Sequence, residues 1–580
     1  MIFAILSFLS AVFLPGSVIF GILESINKIP KNHFNISFFI IFSFIVSCCF
    51  NFMLIYFLVS VGIYTKSVVI SIFMLEIIAF LYLFKDRIFL PLKTHTILLN
   101  GTRREKILFA ISILIALYFL NKCLQADIFW HWDAVVSWDR WASEWTRGKF
   151  VLNEGGYSQL YPMLLSLGYT ASGQISSFQG IGVAIYWYFV FVCIVASLFL
   201  LKDNEIFGDK FTHTNYFGIV LCAMIYFVFF VLSNEFYVGY VDMPCAMMII
   251  ISALLLIKAK QNITQSNATL FLLLASLSAG ISTEIKQAGL FWCGIYAIAL
   301  IAFFRTLGAK KLLLNIFIML LFLAPWVIIA IYKKLVLHTP ATNIEYTWDR
   351  IYLGKGYLER FQIAIKRYKK IAEIFMLCVL TLGIRNKIFA LLGIAGIAYF
   401  IFWGTHLSYD LRNLQGGLAL MIIAVSAIVV YYFEMLLKIL PFIYKRIGVI
   451  FCIFVVCGVI IAYFSEERTL KNEYKRKMKL GGEDTNKLVF SVFDKHGSKP
   501  LLTSNQLIAY LPDFDRKYYK HYSFGEHRKD GEFEAYATAL KQKEGSFYIL
   551  LPNKDYERYK DFLKDAIYFG KSQHYSLVLF

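Results

Sequence analysis

Long apolar runs separated by short polar stretches make up most of the chain. A helix of about 20 apolar residues crosses the hydrocarbon core of a bilayer. The runs are continuous and do not alternate with polar residues, which favours membrane helices over a transmembrane β-barrel. They predict 14 spans, at 2–23, 36–60, 66–85, 107–126, 179–201, 215–233, 241–258, 268–284, 288–304, 311–333, 371–384, 387–404, 415–437 and 443–464.

Composition strengthens the interpretation of the apolar runs. Of the 580 residues 59% are hydrophobic and 16% are charged, and the mean hydropathy is +0.64. An ordinary soluble protein is about 45–50% apolar and about 25% charged, so a soluble enzyme and a disordered chain are both excluded. The ten cysteines fall in or beside apolar runs without a C-x-x-C pair, which indicates small core residues of membrane helices.

Lysine and arginine in the loops predict the orientation of the chain in the bilayer. If the loop from Asp127 to Tyr161 lies outside, the inner loops carry 20 of these residues and the short outer loops carry six. Cytoplasmic loops are enriched in Lys and Arg, so both termini are expected outside. The net charge of +19 therefore reflects mostly topology and does not indicate a nucleic-acid partner.

The last 116 residues differ from the rest in composition. Residues 465–580 carry 21 Lys and Arg against 17 Asp and Glu, a net +4, and apolar runs become short. Their sequence pattern predicts a small outer α/β domain. This domain follows an N-terminal membrane segment (1–105) and a catalytic membrane part (106–464), and the catalytic part has outer loops at 127–178 and 334–370. In this tail we predict strands at Leu488–Phe493, Phe547–Leu551 and Tyr575–Phe580, and helices at Glu532–Lys541 and Asp555–Asp565.

The first outer loop holds the most informative polar residues, because acids near lipid are costly without a role. Five of the ten tryptophans lie between Trp130 and Trp145 and can anchor the loop at the interface. Asp133 stands among aromatic residues and close to His131, where the pKa of a carboxyl is readily tuned for general-base work. Asp127 and Asp139 are alternatives for the same role, and any of the three can instead be structural.

Further polar clusters fall on the same predicted side of the membrane. Tyr161 precedes a proline that suits a helix start. Asp242 opens a span, where it is a further catalytic candidate and can also cap the helix. Lys286 lies at a membrane edge, where a lipid phosphate or simple snorkelling would explain it. The aromatic candidates for substrate binding are His131, Trp132, Tyr161, Tyr240 and Tyr409. The remaining candidates for phosphate binding are Arg412 and the basic residues Arg360 and Arg367 of an amphipathic helix expected to lie on the membrane.

These motifs together resemble the GT-C superfamily of integral-membrane glycosyltransferases, in particular bacterial relatives of protein O-mannosyltransferases and lipid A aminoarabinose transferases. The resemblance covers roughly residues 106–580 and lies in short motifs. They are Trp132-Asp133-Ala134, Tyr161-Pro162, Tyr240-Val-Asp242-Met-Pro244, Thr283-Glu-Ile-Lys286-Gln-Ala-Gly289 and Tyr409-Asp-Leu-Arg412-Asn413. About three spans, those of the segment 1–105, precede the span that leads into the motif-bearing loop, where many members of the superfamily have that one span alone.

The resemblance implies an enzyme that transfers a sugar from a polyprenyl-phosphate donor to a glycan, lipid or protein acceptor outside a bacterial inner membrane. Asp133 would activate the acceptor hydroxyl for an inverting transfer. Lys286 and Arg412, with Arg360 or Arg367, would hold the donor phosphate. A monophosphate donor does not require a metal and the sequence shows no compact ligand cluster, so a divalent cation stays open.

Two other functions are compatible with such a chain. A polymerase or ligase of lipid-linked glycans is also a transferase but takes a different donor. A transporter or flippase should show inverted repeats and polar residues at the middle of the membrane. The sequence shows no repeat, and its strongest polar clusters lie at one interface, which favours the transferase.

Overall fold

The chain forms two compact units, one comprising most of the chain up to Ile460 and the other mainly Ile461–Phe580. The computed structural model describes residues 2–26, 36–88, 114, 117–119, 133–150, 157–173, 179–207, 216–232, 239–263, 268–336, 355–384, 386–407, 410–439, 483–505, 508, 514, 518–522, 524 and 531–580.

The described part of the larger unit is helical. Its α-helices are α1 (Ile2–Val12), α2 (Leu14–Ser25), α3 (Ile36–Ser60), α4 (Lys66–Ile88), α5 (Arg140–Thr146), α6 (Leu160–Ser172), α7 (Gln179–Phe199), α8 (Asp203–Phe207), α9 (Tyr216–Ile225), α10 (Asp242–Gln261), α11 (Ala268–Thr283), α12 (Ala288–Phe303), α13 (Ala309–Leu335), α14 (Tyr357–Arg367), α15 (Lys369–Leu377), α16 (Lys387–His406) and α17 (Gln415–Ile439). Short π-helical segments, Ala134–Asp139 and Tyr226–Leu232, precede α5 and follow α9, and 3₁₀ turns occupy Arg305–Leu307, Cys378–Gly383 and Leu411–Leu414.

The helices confirm a polytopic membrane protein. Among the described residues seven are long and apolar enough to cross a bilayer, or eight if α1 and α2 form one span bent by 53°. Three shorter apolar helices accompany them, at 216–229, 268–283 and 288–303. The predicted spans 107–126 and 443–464 lie wholly or mostly outside the described residues, so the expected total of 14 stays a prediction.

One predicted span differs from the structure. At 371–384 the chain forms most of α15, which is a helix of only nine residues, and then a 3₁₀ turn of six residues. Together they are too short to cross about 30 Å of hydrocarbon as a helix. Ile371, Phe375 and Cys378 are buried on one side while Met376 is exposed, which is the pattern of a helix packed along its neighbours.

Helix α10 lies at the centre of the larger unit, with 94% of its most apolar stretch buried, whereas only 17% of α13 is buried. Helices α7, α11 and α17 pack around α10. A helix that is apolar all round can be buried on every side or can face lipid, and these two helices show both cases. The ends of α10, α12 and α17 therefore meet at a fixed place, which positions the site described below.

The smaller unit is an α/β domain, as predicted. Its elements are α18 (Glu483–His496), β1 (Leu501–Thr503), β2 (Tyr519–His521), α19 (Glu532–Glu544), β3 (Tyr548–Pro552), α20 (Asn553–Arg558), β4 (Ile567–Lys571) and β5 (Tyr575–Leu579). The strand order is β2-β1-β3-β5-β4, with β1 parallel to both of its neighbours and β5 antiparallel to β3 and β4.

Two apolar layers cover the faces of this sheet, because successive residues of a strand point to opposite sides. Ile549 and Leu551 pack with the α19 residues Phe533 and Ala537. On the other face, Tyr548 and Leu550 pack with Val489, Val492 and Phe493 of α18. The predicted strands at 547–551 and 575–580 and the helix at 532–541 are confirmed.

Two predictions in this tail need correction. Leu488–Phe493 was predicted as a strand but lies within α18, because its buried residues Val489, Val492 and Phe493 recur at the i, i+3, i+4 spacing of a helix. The predicted helix at 555–565 starts at Asn553 and ends at Arg558, after which the chain forms turns.

Candidate active site

Charged side chains from four distant segments meet where α10, α12 and α17 begin. The segments are the start of the first predicted outer loop, the entry to α10, the turn before α12 and the turn before α17. We refer to these residues as the charged cluster: Asp133, Tyr240, Asp242, Lys286, Asp410, Arg412 and Asn413.

Arg412 is the centre of the charged cluster. Its Nη1 donates to Oδ2 of Asp133 over 2.7 Å, while Nε and Nη2 donate to Oδ2 of Asp410 over 2.8 and 2.5 Å. The planar guanidinium offers several donors in a fixed fork, which is why one arginine can hold two carboxylates. Asp410 also accepts a hydrogen bond from the backbone N–H of Arg412 at 2.9 Å, which fixes the turn in front of α17.

Tyr240 links Asp133 to the same arginine. The guanidinium of Arg412 lies 4.7 Å from the centre of the Tyr240 ring, a cation–π distance. The hydroxyl of Tyr240 accepts a hydrogen bond of 3.2 Å from the backbone N–H of Asp133. Burial, with the charge of Asp133 second, raises the pKa of Tyr240 to about 12, so this phenol stays protonated at neutral pH.

Lys286 forms the second half of the charged cluster. Its Nζ is paired with Oδ1 of Asp242 and lies 3.3 Å from Oδ1 of Asn413. Burial acts to lower the pKa of Lys286, but the neighbouring Asp242 carboxylate outweighs it and the pKa is raised. Burial likewise acts to raise the pKa of Asp410, but Arg412 outweighs it and the pKa is lowered. Both groups are therefore charged at neutral pH.

Three helices begin at the charged cluster. Asp242 is the first residue of α10, Lys286 stands two residues before α12, and Arg412 lies in the turn that leads into α17. Free backbone N–H groups and the positive end of the macrodipole make such helix starts favourable for anions. Gly289 allows α12 to start this close to α11, because a Cβ there would lie 2.5 Å from the backbone of Thr283.

The most exposed acid of the charged cluster is Asp133. Its side chain is 38% exposed, against 18% for Asp410 and 7% for Asp242. Arg412 and Lys286 are 24% and 17% exposed. The Asp133 carboxylate and the two cations are thus accessible together at one place, while the two more buried acids pair with the cations.

Asp139 lies in a different environment from Asp133, six residues away. Its side chain is fully buried, and its Oδ1 accepts a hydrogen bond from the hydroxyl of Tyr169 on α6. Aromatic rings surround this region: the Trp138 and Trp141 ring centres are 4.7 Å apart, and Trp145 donates to Gln159 over 3.0 Å. We call this region the aromatic anchor: Trp138, Asp139, Trp141, Trp145, Tyr157 and Tyr169.

The other predicted site residues are spread over the structure. The buried Tyr161 donates from its hydroxyl to the carbonyl of Gly182 over 2.8 Å, a helix-packing contact. Arg360 donates from Nε to the carbonyl of Lys355, and Arg367 lies 5.2 Å from the ring of Tyr368. These contacts are local to α14, the predicted amphipathic helix. Asp127, His131, Trp132 and Tyr409 lie outside the described residues.

Two members of the charged cluster, Asp410 and Asn413, and one residue beside it, Glu284, were not among the predicted site residues. Asp410 and Asn413 pair with the two cations, and their place beside Arg412 at the start of a span was the available signal. The backbone carbonyl of Glu284 accepts from Leu160 N at 2.7 Å, and its carboxylate accepts from Trp326 N at 3.1 Å. It thus fixes the turn that carries Lys286, a role that no local pattern indicated.

No cluster of three or more His, Cys, Asp or Glu side chains suitable for a metal ion occurs within the described part of the chain. The charged cluster instead combines carboxylates with paired cations. Such an arrangement can bind an anion through Arg412 and Lys286 and can accept a proton at Asp133.

The chain is an integral membrane protein with a polar, charged site at the start of three helices. No protein-family model and no curated protein matches it. Two crystal structures of ArnT from Cupriavidus metallidurans, one apo and one bound to undecaprenyl phosphate, are similar to it over 82% of this chain and 97–98% of theirs. The sequences are 14% identical and the TM-scores are 0.48 and 0.49.

Proposed function

We propose that this protein is a membrane glycosyltransferase that takes a sugar from a polyprenyl-phosphate donor at the charged cluster. The observation that carries the proposal is the pairing of the accessible Asp133 with Arg412, 2.7 Å apart, beside Lys286 and at the start of three helices. The motif resemblance to GT-C enzymes supports the class of donor. The positive-inside bias supports an active site on the outer side of the membrane.

The donor phosphate binds between Arg412 and Lys286. Arginine matches phosphate oxygens with its fork, and lysine contributes a compact charge. Both cations lie in partly buried positions, where a charge-assisted hydrogen bond is stronger than in water. Asp242 and Asp410 hold the ammonium and the guanidinium in place from the protein side, so the cations are positioned before the donor arrives.

Asp133 acts as the general base. Its carboxylate accepts a hydrogen bond from Nη1 of Arg412. A phosphate that takes over this donor leaves the carboxylate of Asp133 beside the sugar, free to accept a proton. Tyr240 keeps the backbone of Asp133 in position during this exchange, because its hydroxyl contacts Asp133 N and its ring contacts Arg412.

The transfer step is an inverting displacement at the anomeric carbon. The acceptor hydroxyl oxygen forms the new bond to that carbon, and its proton passes to Asp133. The bond from the anomeric carbon to the phosphate oxygen breaks, and polyprenyl phosphate leaves with that electron pair. Arg412 and Lys286 stabilise the negative charge that grows on the leaving phosphate. The acceptor is a glycan, a lipid or a protein, and the product identifies which.

Release of polyprenyl phosphate from a polyprenyl-phosphate sugar by the purified full-length chain tests the proposal. We expect release in the presence of a hydroxyl-bearing acceptor and its loss in Asp133→Asn. The matched control is Glu205→Gln, because Glu205 pairs with Lys258 at the opposite end of α10, also over 2.7 Å and with similar exposure. Equal activity of Asp133→Asn and Glu205→Gln would contradict the proposal, and formation of a polymer would indicate a polymerase or ligase.

A further inference from the structure

Two side chains of α16 hold the turn that carries Arg412. Nε1 of Trp403 donates to the backbone carbonyl of Asp410 over 3.0 Å. The hydroxyl of Tyr399 donates to the backbone carbonyl of Asn413, also over 3.0 Å. These carbonyls stand on either side of Arg412 in the chain, so the backbone is held both before and after this residue. We call Tyr399 and Trp403 the α16 clamp.

The spacing of the α16 clamp suits this task. Tyr399 and Trp403 are four positions apart, and residues at i and i+4 of a helix lie on one face, one turn apart. Both side chains are buried, with exposed fractions of 4% and 0%. A buried tyrosine hydroxyl or tryptophan N–H usually finds a hydrogen-bond partner. Here both partners are backbone carbonyls of one short turn, and that turn carries a cation of the charged cluster.

The backbone hydrogen bonds of the turn itself are long. N of Asn413 lies 3.3 Å from the carbonyl oxygen of Asp410, and N of Asp410 lies 3.3 Å from the carbonyl oxygen of Leu407. N–H···O bonds in proteins usually measure about 2.7–3.2 Å, and 3₁₀ turns have poorer hydrogen-bond geometry than α-helices. The two bonds from the α16 clamp are shorter than these. The turn therefore depends on α16 for its position, and not only on its own backbone.

Two adjacent glycines at the start of α17 allow a close approach to the α16 clamp. Glycine in a helix costs about 0.5–1 kcal/mol relative to alanine, so Gly416 and Gly417 require a reason. A Cβ at Gly417 would lie 2.6 Å from Cδ1 of Tyr399, and a Cβ at Gly416 would lie 2.9 Å from Cβ of Ala288 in α12. The glycines thus keep α17 in contact with Tyr399 and with the start of α12.

Tyr399 also contacts the helix that follows the second cation. The ring of Phe291 in α12 meets it edge-on, with the ring centres 4.8 Å apart and an angle of 81° between the planes. Lys286 stands two residues before α12, and its Nζ lies 3.3 Å from Oδ1 of Asn413. The carbonyl of the same asparagine accepts the hydrogen bond from Tyr399. The α16 clamp is therefore connected to Arg412 through the turn and to Lys286 through Asn413.

We propose that Tyr399 and Trp403 are positioning residues that set the place of the Arg412 guanidinium relative to the Lys286 ammonium before the donor binds. This role rests on the proposed function, in which the two cations hold the donor phosphate. A site whose groups are already ordered binds its ligand more tightly, because less conformational entropy is lost on binding. Neither residue of the α16 clamp touches the phosphate, and both act through the turn.

Modification of Arg412 by phenylglyoxal, which reacts with guanidinium groups, tests the α16 clamp without a donor. The Arg412 side chain is 24% exposed, so the reagent can reach it. Tyr399→Phe and Trp403→Phe each remove one hydrogen-bond donor and keep an aromatic ring. We expect either variant to raise the modification rate of Arg412 severalfold in the folded full-length chain, as measured by mass spectrometry of its peptides. Wild-type rates in both variants would overturn the proposal.

Tyr296→Phe and Trp292→Phe are the matched controls. The hydroxyl of Tyr296 donates to the carbonyl of Leu272 over 3.1 Å, and Nε1 of Trp292 donates to Oγ of Ser252 over 3.0 Å. Both rings are fully buried in the same unit. These variants should lower the melting temperature about as much as the α16 clamp variants but leave the modification of Arg412 unchanged. An equal rise in modification in the controls would indicate a general loosening of the fold and would overturn the proposal.

Titration with polyprenyl phosphate measures the effect on the donor site. We expect Tyr399→Phe and Trp403→Phe each to weaken binding about fivefold, which corresponds to about 1 kcal/mol, the usual net value of one hydrogen bond. Most of this loss should disappear in an Arg412→Ala background, and fully additive losses or unchanged affinity in both variants would overturn the proposal. If the wild type itself does not bind polyprenyl phosphate, the proposed function is wrong, whereas the modification rates still decide whether α16 positions Arg412.

Discussion

Asp133 in the charged cluster and Asp139 in the aromatic anchor lie six residues apart in one loop and have opposite environments. Asp133 is 38% exposed and shares Arg412 with a second carboxylate. Asp139 is fully buried and accepts a hydrogen bond from Tyr169. The first arrangement leaves a carboxylate that can exchange partners, whereas the second uses a carboxylate to fix α6 against the loop. An acid near a membrane therefore indicates function only when its partners can be displaced.

The largest effect should come from removing the charge of the accessible acid. Asp133→Asn keeps the size of the side chain but cannot accept the acceptor's proton. A positioned general base typically contributes about 10²- to 10⁴-fold, so we expect the transfer rate to fall by that factor. The melting temperature should stay close to that of the wild type. A steady-state assay of polyprenyl phosphate release measures the rate, and wild-type turnover would assign the base elsewhere.

The next largest effect concerns the guanidinium fork. Arg412→Lys keeps one charge but loses the planar arrangement that contacts Asp133 and Asp410. Loss of a charge-assisted hydrogen bond costs about 1.5–3 kcal/mol, so we expect polyprenyl phosphate to bind at least about tenfold more weakly. Isothermal titration with the purified chain measures this affinity. Unchanged binding would exclude Arg412 from the phosphate site.

A substitution in the aromatic anchor should lower the stability of the fold without changing the transfer rate. Tyr169→Phe removes only the hydroxyl that donates to Asp139 and leaves a buried carboxylate with one partner fewer. Such a loss costs about 1–3 kcal/mol of folding free energy. We expect a lower melting temperature and an unchanged transfer rate per folded molecule. If the rate per folded molecule falls as far as in Asp133→Asn, the two regions do not differ in the way proposed.

The last prediction concerns the pH dependence of donor binding, which should not change at moderately alkaline pH. The pKa of Lys286 is raised by Asp242, so the folded protein favours the charged ammonium. Its contribution is complete below the ordinary lysine value of 10.5 and is lost only as the pH rises through the still higher folded pKa. Donor binding should therefore stay constant from about pH 7 to 9, well below both values. A loss of affinity within this range that Lys286→Arg abolishes would contradict the assignment.

The sequence predicted helices well because apolar runs and helix periodicity are local. It placed Asp242, Lys286 and Arg412 on one side by counting Lys and Arg in the loops, and the structure brings these three residues together. It could not separate Asp133 from Asp139, because burial depends on α6 and Arg412, which are distant in the chain. It also misread Leu488–Phe493, where a six-residue apolar stretch fits strand and helix equally well.

The most direct test of the charged cluster compares polyprenyl phosphate binding in the wild type, Asp133→Asn and Arg412→Lys. The carboxylate of Asp133 is hydrogen-bonded to Nη1 of Arg412, and in the proposed mechanism it competes with the donor phosphate for this nitrogen. We therefore predict that Asp133→Asn binds polyprenyl phosphate at least as tightly as the wild type although its transfer rate is strongly reduced, while Arg412→Lys binds it more weakly. Equal losses of affinity in both variants would contradict the proposal that Asp133 acts as the base while the cations bind the phosphate.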